Sequence, residues 1–184
     1  SCDPLYPRSN SELRQRSLDD LQLSIAKSIN SPMLREGFDL KQVRRNHLEG
    51  LEMFLADREA HPQRYVTASL PHLPFASNSF DLVLSGHLLF SYAPVAVGGL
   101  MLGAGLDLDW HRRSLTELCR VSRNTVRLYP AHTQSLPAQP HPYAKALLSE
   151  LPAAWRGRFA PRNYDQGFSG FTDGLELTST RIES

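Results

Sequence analysis

Phe80-Asp81-Leu82-Val83-Leu84-Ser85 is a short, nearly continuous apolar run set between the turn residues Ser77-Asn78-Ser79 and Gly86. A run of that length and composition is expected of a strand covered on both faces, the kind found in parallel sheets with helices above and below. Downstream, Asp107 or Asp109 opens a helix through Leu115, Leu118, Cys119 and Val121, and a second strand over Thr125 to Tyr129 stops at Pro130. Tyr143 to Leu151 reads as a short helix. The tail carries weaker strand signals around Phe159 to Tyr164 and Leu175 to Thr178. Strand, helix, strand, helix and a closing strand pair make an α/β layered domain. The expected architecture is a mostly parallel, doubly wound sheet with helices on both faces and an antiparallel C-terminal hairpin at one edge.

Upstream of the decisive run, Leu70-Pro71-His72-Leu73-Pro74 excludes regular structure. Arg64 to Ala68 favours extended backbone through Tyr65, Val66 and Thr67. Before it, Asp39 caps a helix that places Leu40, Val43, His47, Leu48, Leu51, Phe54 and Leu55 on one side and ends at His61-Pro62. An earlier helix starts near Ser9, Asn10 or Ser11, repeats Leu18, Leu21, Ile25 and Ile29, and stops at Asn30-Ser31-Pro32. The paired prolines of Asp3-Pro4-Leu5-Tyr6-Pro7 make that segment a turn.

Composition narrows the class. The chain has 184 residues, enough for one domain, and its 41% apolar and 21% charged content fits a globular protein. A formal net charge of +1 gives no electrostatic footprint for nucleic acid or an anionic membrane. Two cysteines, Cys2 and Cys119, are too few for a disulfide framework and point to a reducing, cytoplasmic setting. The seven histidines are scattered without the spacing of a zinc site, so no metal is expected. Leu82 to Leu106 lacks any charged residue and is long enough to cross a bilayer. Pro94, Gly98-Gly99, Gly103, Gly105 and His87 interrupt it, so no membrane span is expected.

Leu73-Pro74-Phe75 followed by Asn78-Ser79-Phe80-Asp81-Leu82-Val83 resembles the "LPF…sFDLV" segment of class I S-adenosylmethionine-dependent methyltransferases. Glu117-Leu118-Cys119-Arg120-Val121 resembles the E-x-x-R-V helix end that follows, and Thr125 to Pro130 is similar to the family's fifth strand. The resemblance implies a Rossmann-like fold, S-adenosyl-L-methionine as cofactor and a small-molecule methyl acceptor. Asp3, with Pro4 and Leu5 beside it, falls at the end of the family's second strand, where a carboxylate accepts hydrogen bonds from both ribose hydroxyls. Ser69 stands where many members carry Asp facing the adenine, and Leu70 is placed to pack on the base. Ser85-Gly86 would meet the methionine part, with His87 the candidate general base, since its titration range suits that task. Tyr92, Trp110 and His111 are the candidate substrate-lining residues, and residues 93–106 form a glycine-rich inserted loop, a lid or a disordered segment.

The family's opening strand and Gly-x-Gly turn have no counterpart here, because Ser1-Cys2-Asp3 aligns with the end of the second strand. A truncated methyltransferase, incomplete or inactive as it stands, is the expected reading. Unpaired interior strand edges would then be sites of self-association. The alternative is a non-catalytic scaffold that binds a protein partner through its exposed edge.

Overall fold

The computed structural model describes residues 1–29, 34, 36–103, 105–162 and 167–181. Two compact units, Ser1–Ser69 and Leu70–Ser184, divide the stretch expected to be one domain.

The first unit is a pair of helices with a small core. Helix α1 (Asn10–Ser28) starts at a capping box: the Ser9 hydroxyl accepts from the Glu12 amide while the Glu12 carboxylate accepts from the Ser9 amide. Helix α2 (Leu40–Ala60) is capped by Asp39, whose carboxylate accepts from the Lys41 and Gln42 amides. Leu13 of α1 meets Leu51 and Leu55 of α2, with Leu5, Leu18 and Phe54 packed around them. Arg14 and Glu52 bridge the two helices. The proline-led end expected for α1 at Asn30-Ser31-Pro32 lies outside the described residues.

The extended segment expected over Arg64 to Ala68 does not become a strand. Pro62–Arg64 form a 3-10 turn, and one parallel bridge joins Cys2 to Val66. Asp3 N–H donates to the Val66 carbonyl at 3.2 Å, and Val66 N–H donates to the Ser1 carbonyl at 3.0 Å. The ladder stops there because the Asp3 carbonyl accepts from the Tyr6 amide and the Leu5 amide donates to the Asp3 carboxylate, so the next ladder groups are spent on a turn.

The second unit is built on a four-stranded open sheet of β1 (Phe80–Gly86), β2 (Ser122–Tyr129), β3 (Trp155–Ala160) and β4 (Gly174–Ser179), in the order β1-β2-β4-β3. It is a mixed sheet. Only β1 and β2 pair in parallel; β2–β4 and β3–β4 are antiparallel. The expectation of a mostly parallel sheet fails because the C-terminal hairpin supplies two of the three pairings and β4 enters between β2 and β3. Tyr164, placed in the first weak strand of the tail, lies outside the described residues, and β3 starts earlier, at Trp155.

Helix α3 (Leu108–Val121) is opened by Asp107, whose carboxylate accepts from the Trp110 amide. Helix α4 (Pro142–Ser149) follows His141. Leu115, Leu118 and Cys119 of α3 and Ala144 and Leu147 of α4 share one core with Val126, Leu128, Leu175, Leu177 and Trp155 of the sheet. Alternate residues of a strand point to opposite faces, so both helices cover the same face. Helices on both faces were expected; within the described residues of this unit, the other face is uncovered. That is why β1 departs from a doubly buried strand: Leu82 is 45% exposed and Leu84 68% exposed.

The glycine-rich segment is ordered by its own backbone. Val95 N–H donates to the Met101 carbonyl, Leu100 N–H to Ser91, Met101 N–H to Ala93 and Leu106 N–H to Tyr92. Gly99 allows this closure: a Cβ there would sit 2.0 Å from the Ala93 carbonyl oxygen. Gly99→Ala is therefore expected to open the loop and lower stability by about 2 kcal/mol or more, since backbone must shift to admit the methyl group. Amide hydrogen exchange at Leu100 and Met101 checks this, and unchanged protection would contradict it.

Candidate functional site

The tip of β1 is where the sequence placed the chemistry. Ser85 and Gly86 end the strand in register with Leu128 and Tyr129 of the parallel neighbour β2. His87 follows with φ of 56°, a left-handed conformation uncommon for a residue with a side chain. It is held by donation of its amide to the Tyr129 carbonyl. Its ring meets the Tyr129 ring edge-on, centroids 5.7 Å apart. Partial desolvation, and then the nearby His132, lower the His87 pKa below the usual histidine value, so the ring is neutral near pH 7. A Cβ at Gly86 would have nothing within 4 Å, so the tip is open on that side.

Behind His87 the chain is anchored by Phe90, fully buried and also at positive φ (68°). Phe90 N–H donates to His111 Nε2 at 2.9 Å, and His111 Nδ1 donates to the Asp107 carbonyl at 2.7 Å. Both ring nitrogens are thereby used, and His111 has no exposed surface. This corrects its expected role in lining a substrate pocket: His111 joins the β1 loop to the start of α3. Its ring stacks on Phe90, and that of His141 lies 5.4 Å from Phe90 on another side. Burial lowers the pKa of His111, His132 and His141, the last to about 4. His141 Nδ1 accepts from the Tyr143 amide and His132 Nδ1 donates to the Thr133 carbonyl. Reading the histidines as scattered missed this grouping. The one local signal was Pro140-His141-Pro142, a histidine fixed between two prolines.

The remaining predicted residues divide between the units. Tyr92 is 45% exposed and Trp110 is half-buried against the main core, edge-on to His111. Leu70 also packs on that core. In the first unit, Asp3 Oδ1 accepts from the Leu5 amide at 2.7 Å, a turn-forming bond that leaves Oδ2 without a hydrogen-bond partner among the described residues. Pro4 and Ser69 are exposed. Leu5 is half-buried and packs against the Leu13–Leu51–Leu55 core. A cleft of about 600 Å³ in this unit is lined by Tyr6, Asn10, Arg58, Glu59, Pro62 and Tyr65, none of them a predicted cofactor residue. Among the described residues no cluster of His, Cys, Asp or Glu is arranged to hold a metal ion. No helix among them is long and apolar enough to cross a membrane.

The two segments that carry the family resemblance touch each other. Glu117 Oε1 accepts from the Leu73 amide at 2.8 Å, while Arg120 donates to the Leu73 carbonyl at 3.2 Å and to both Glu117 oxygens at 2.7 Å. The E-x-x-R pair of α3 thus clamps the Leu-Pro-Phe segment that leads into β1. No protein-family model and no curated protein matches this chain. The clamp is consequently read from geometry alone. The Arg120 hydrogen bond is the main reason the Glu117 carboxyl titrates below the usual carboxylate range. Glu117→Ala is expected to cost about 2 kcal/mol, because it leaves the Leu73 amide and the Arg120 guanidinium short of their acceptor. Urea unfolding followed by tryptophan fluorescence measures it; a loss below about 0.5 kcal/mol would contradict the clamp.

Proposed function

We propose that this chain serves S-adenosylmethionine-dependent methyl transfer to a small-molecule acceptor, with the tip of β1 as the reacting end of the site. The observation that carries the reading is the E-x-x-R clamp on the Leu-Pro-Phe segment. Two stretches that resemble one family at separate points of the sequence are joined by two hydrogen bonds at Leu73, with Glu117 and Arg120 also paired to each other, and together they set the approach to β1. Ligands of open α/β sheets gather beyond the carboxyl ends of parallel strands, and Ser85-Gly86-His87 ends one of the two parallel strands here.

When bound, the cofactor would supply a methyl group activated by a sulfonium centre. Such a transfer needs mainly alignment of donor and acceptor. The open backbone at Gly86 and the Ser85 position admit the methionine part. His87, neutral and supported by Tyr129, takes the proton from an acceptor that must lose one. Tyr92 and the exposed side of Trp110 are left as acceptor contacts. A near-neutral charge favours a small acceptor over a nucleic acid. Two free cysteines, one of them exposed, suit a cytoplasmic location.

Nitrogen-15 NMR titration with S-adenosylhomocysteine tests the reading. The expected affinity is weak, with dissociation constants in the millimolar range and shifts at Ser85, Gly86 and His87. Absence of shifts at the β1 tip at saturating ligand would overturn it. The scaffold alternative is favoured by one observation, the exposed leucines of β1.

A further inference from the structure

The uncovered face of the sheet is not uniformly polar. Cross-strand partners point to the same side of a sheet, so the register defines two rows. One row runs Leu84, Arg127, Glu176, Arg158; the other runs Leu82, Thr125, Thr178, Arg156. Leu82 and Leu84 are 45% and 68% exposed at the β1 end. The β3 end is cationic. Glu176 accepts from Arg127 (2.9 Å), Arg158 (2.8 Å) and Arg162 (3.5 Å), so one carboxylate faces three guanidinium groups. Arg156 adds a fourth cation to this side. Exposed leucines beside unbalanced arginines are unusual on a face that no described element of this unit covers, and such patches mark binding surfaces.

We infer that this face receives an amphipathic helix of a partner protein, with an apolar stripe set on Leu82 and Leu84 and an acidic flank turned toward Arg127, Arg158 and Arg156. Dimensions agree with one helix. A seven-residue strand is about 23 Å long and a helix of about 15 residues matches it. A helix is roughly 10–12 Å wide with side chains, and strands lie about 4.8 Å apart. Seated over β1 and β2, its flank therefore reaches the Arg127 column and the arginines beyond. Charge decides the partner's sign: a basic flank would face like charge, and a neutral one would leave the excess guanidinium charge without a counterpart. The inference does not depend on methyl transfer, because it uses the face of the sheet and not the strand tips.

Fluorescence anisotropy with two labelled helical peptides of about 18 residues tests it, using the same leucine stripe with either glutamate or lysine flanks. The glutamate peptide is expected to bind in the micromolar range and the lysine peptide at least about tenfold more weakly. Leu84→Glu should abolish binding of the glutamate peptide. Arg158→Glu should narrow or reverse the preference between the two peptides. Both changes fall on exposed side chains, and circular dichroism checks that each variant keeps its fold. Equal binding of the two peptides, no binding of either, or affinities unchanged by both substitutions would overturn the inference. So would a concentration-dependent dimer of the chain in sedimentation velocity that Leu84→Glu dissolves, because a second copy would then be the occupant.

Discussion

Phe90→Ala is expected to lower the stability of the second unit by about 3–5 kcal/mol, the range for emptying an aromatic site in a packed core. Phe90 has no exposed surface and belongs to the cluster that joins α3, α4 and the sheet. Its ring contacts those of His111 and His141, and its amide donates to His111. Removing the ring leaves polar imidazoles facing a void. It also frees the residues behind His87, so the shape of the β1 tip should be lost with the stability. Both tryptophans, Trp110 and Trp155, lie in this unit, so their fluorescence reports its unfolding alone. A loss of under 1 kcal/mol in urea unfolding would show that the ring does not anchor the loop.

Acid is expected to weaken the same region more than carboxylate chemistry alone would. Burial holds the folded-state His141 at about 4 against an ordinary 6.5, and His111 and His132 are shifted in the same direction. An unfolded chain takes up a proton at His141 as pH falls below 6.5, whereas the folded chain resists until about 4. The unfolded state therefore binds more protons across that window, and stability present above pH 6.5 is lost as pH falls toward 4. At about 1.4 kcal/mol per unit, His141 alone accounts for roughly 3 kcal/mol. Urea unfolding at pH 7.5 and pH 4.5 measures the loss, and His141→Gln should flatten the dependence. An unchanged slope in that variant would remove His141 as its source.

Much of the second unit was legible from local chemistry. The turn at Ser77-Asn78-Ser79 and the apolar run after it set β1 almost to the residue, and Asp107 marked the start of α3 through its cap. Those signals depend on neighbours in sequence. Tyr65-Val66-Thr67 has the residues of a strand, but a strand also needs a partner of matching length, and among the described residues these three form a single bridge, Val66 with Cys2. The sheet's mixed character was hidden for a related reason, since nothing within Gly174–Ser179 says that it enters between β2 and β3.

The site was legible in position more than in composition. Ser85, Gly86 and His87 do end a parallel strand. His111 was read as a substrate contact because it lies on the helix after the loop, but its face of α3 looks inward and Phe90 occupies its free nitrogen. Leu5 was read as a cofactor contact from its place beside Asp3, and part of its side chain also packs on the helix pair. His132 and His141 escaped notice because only tertiary structure brings His141 beside Phe90 and His132 within electrostatic reach of His141.

The central claim is that the end of β1 receives the reacting part of S-adenosylmethionine. Ultraviolet cross-linking of methyl-labelled S-adenosylmethionine to the chain, followed by peptide mapping, addresses it directly. The account predicts label on the peptide that contains Ser85, Gly86 and His87, reduced by competing S-adenosylhomocysteine. Label confined to other peptides, or label indifferent to the competitor, would contradict it.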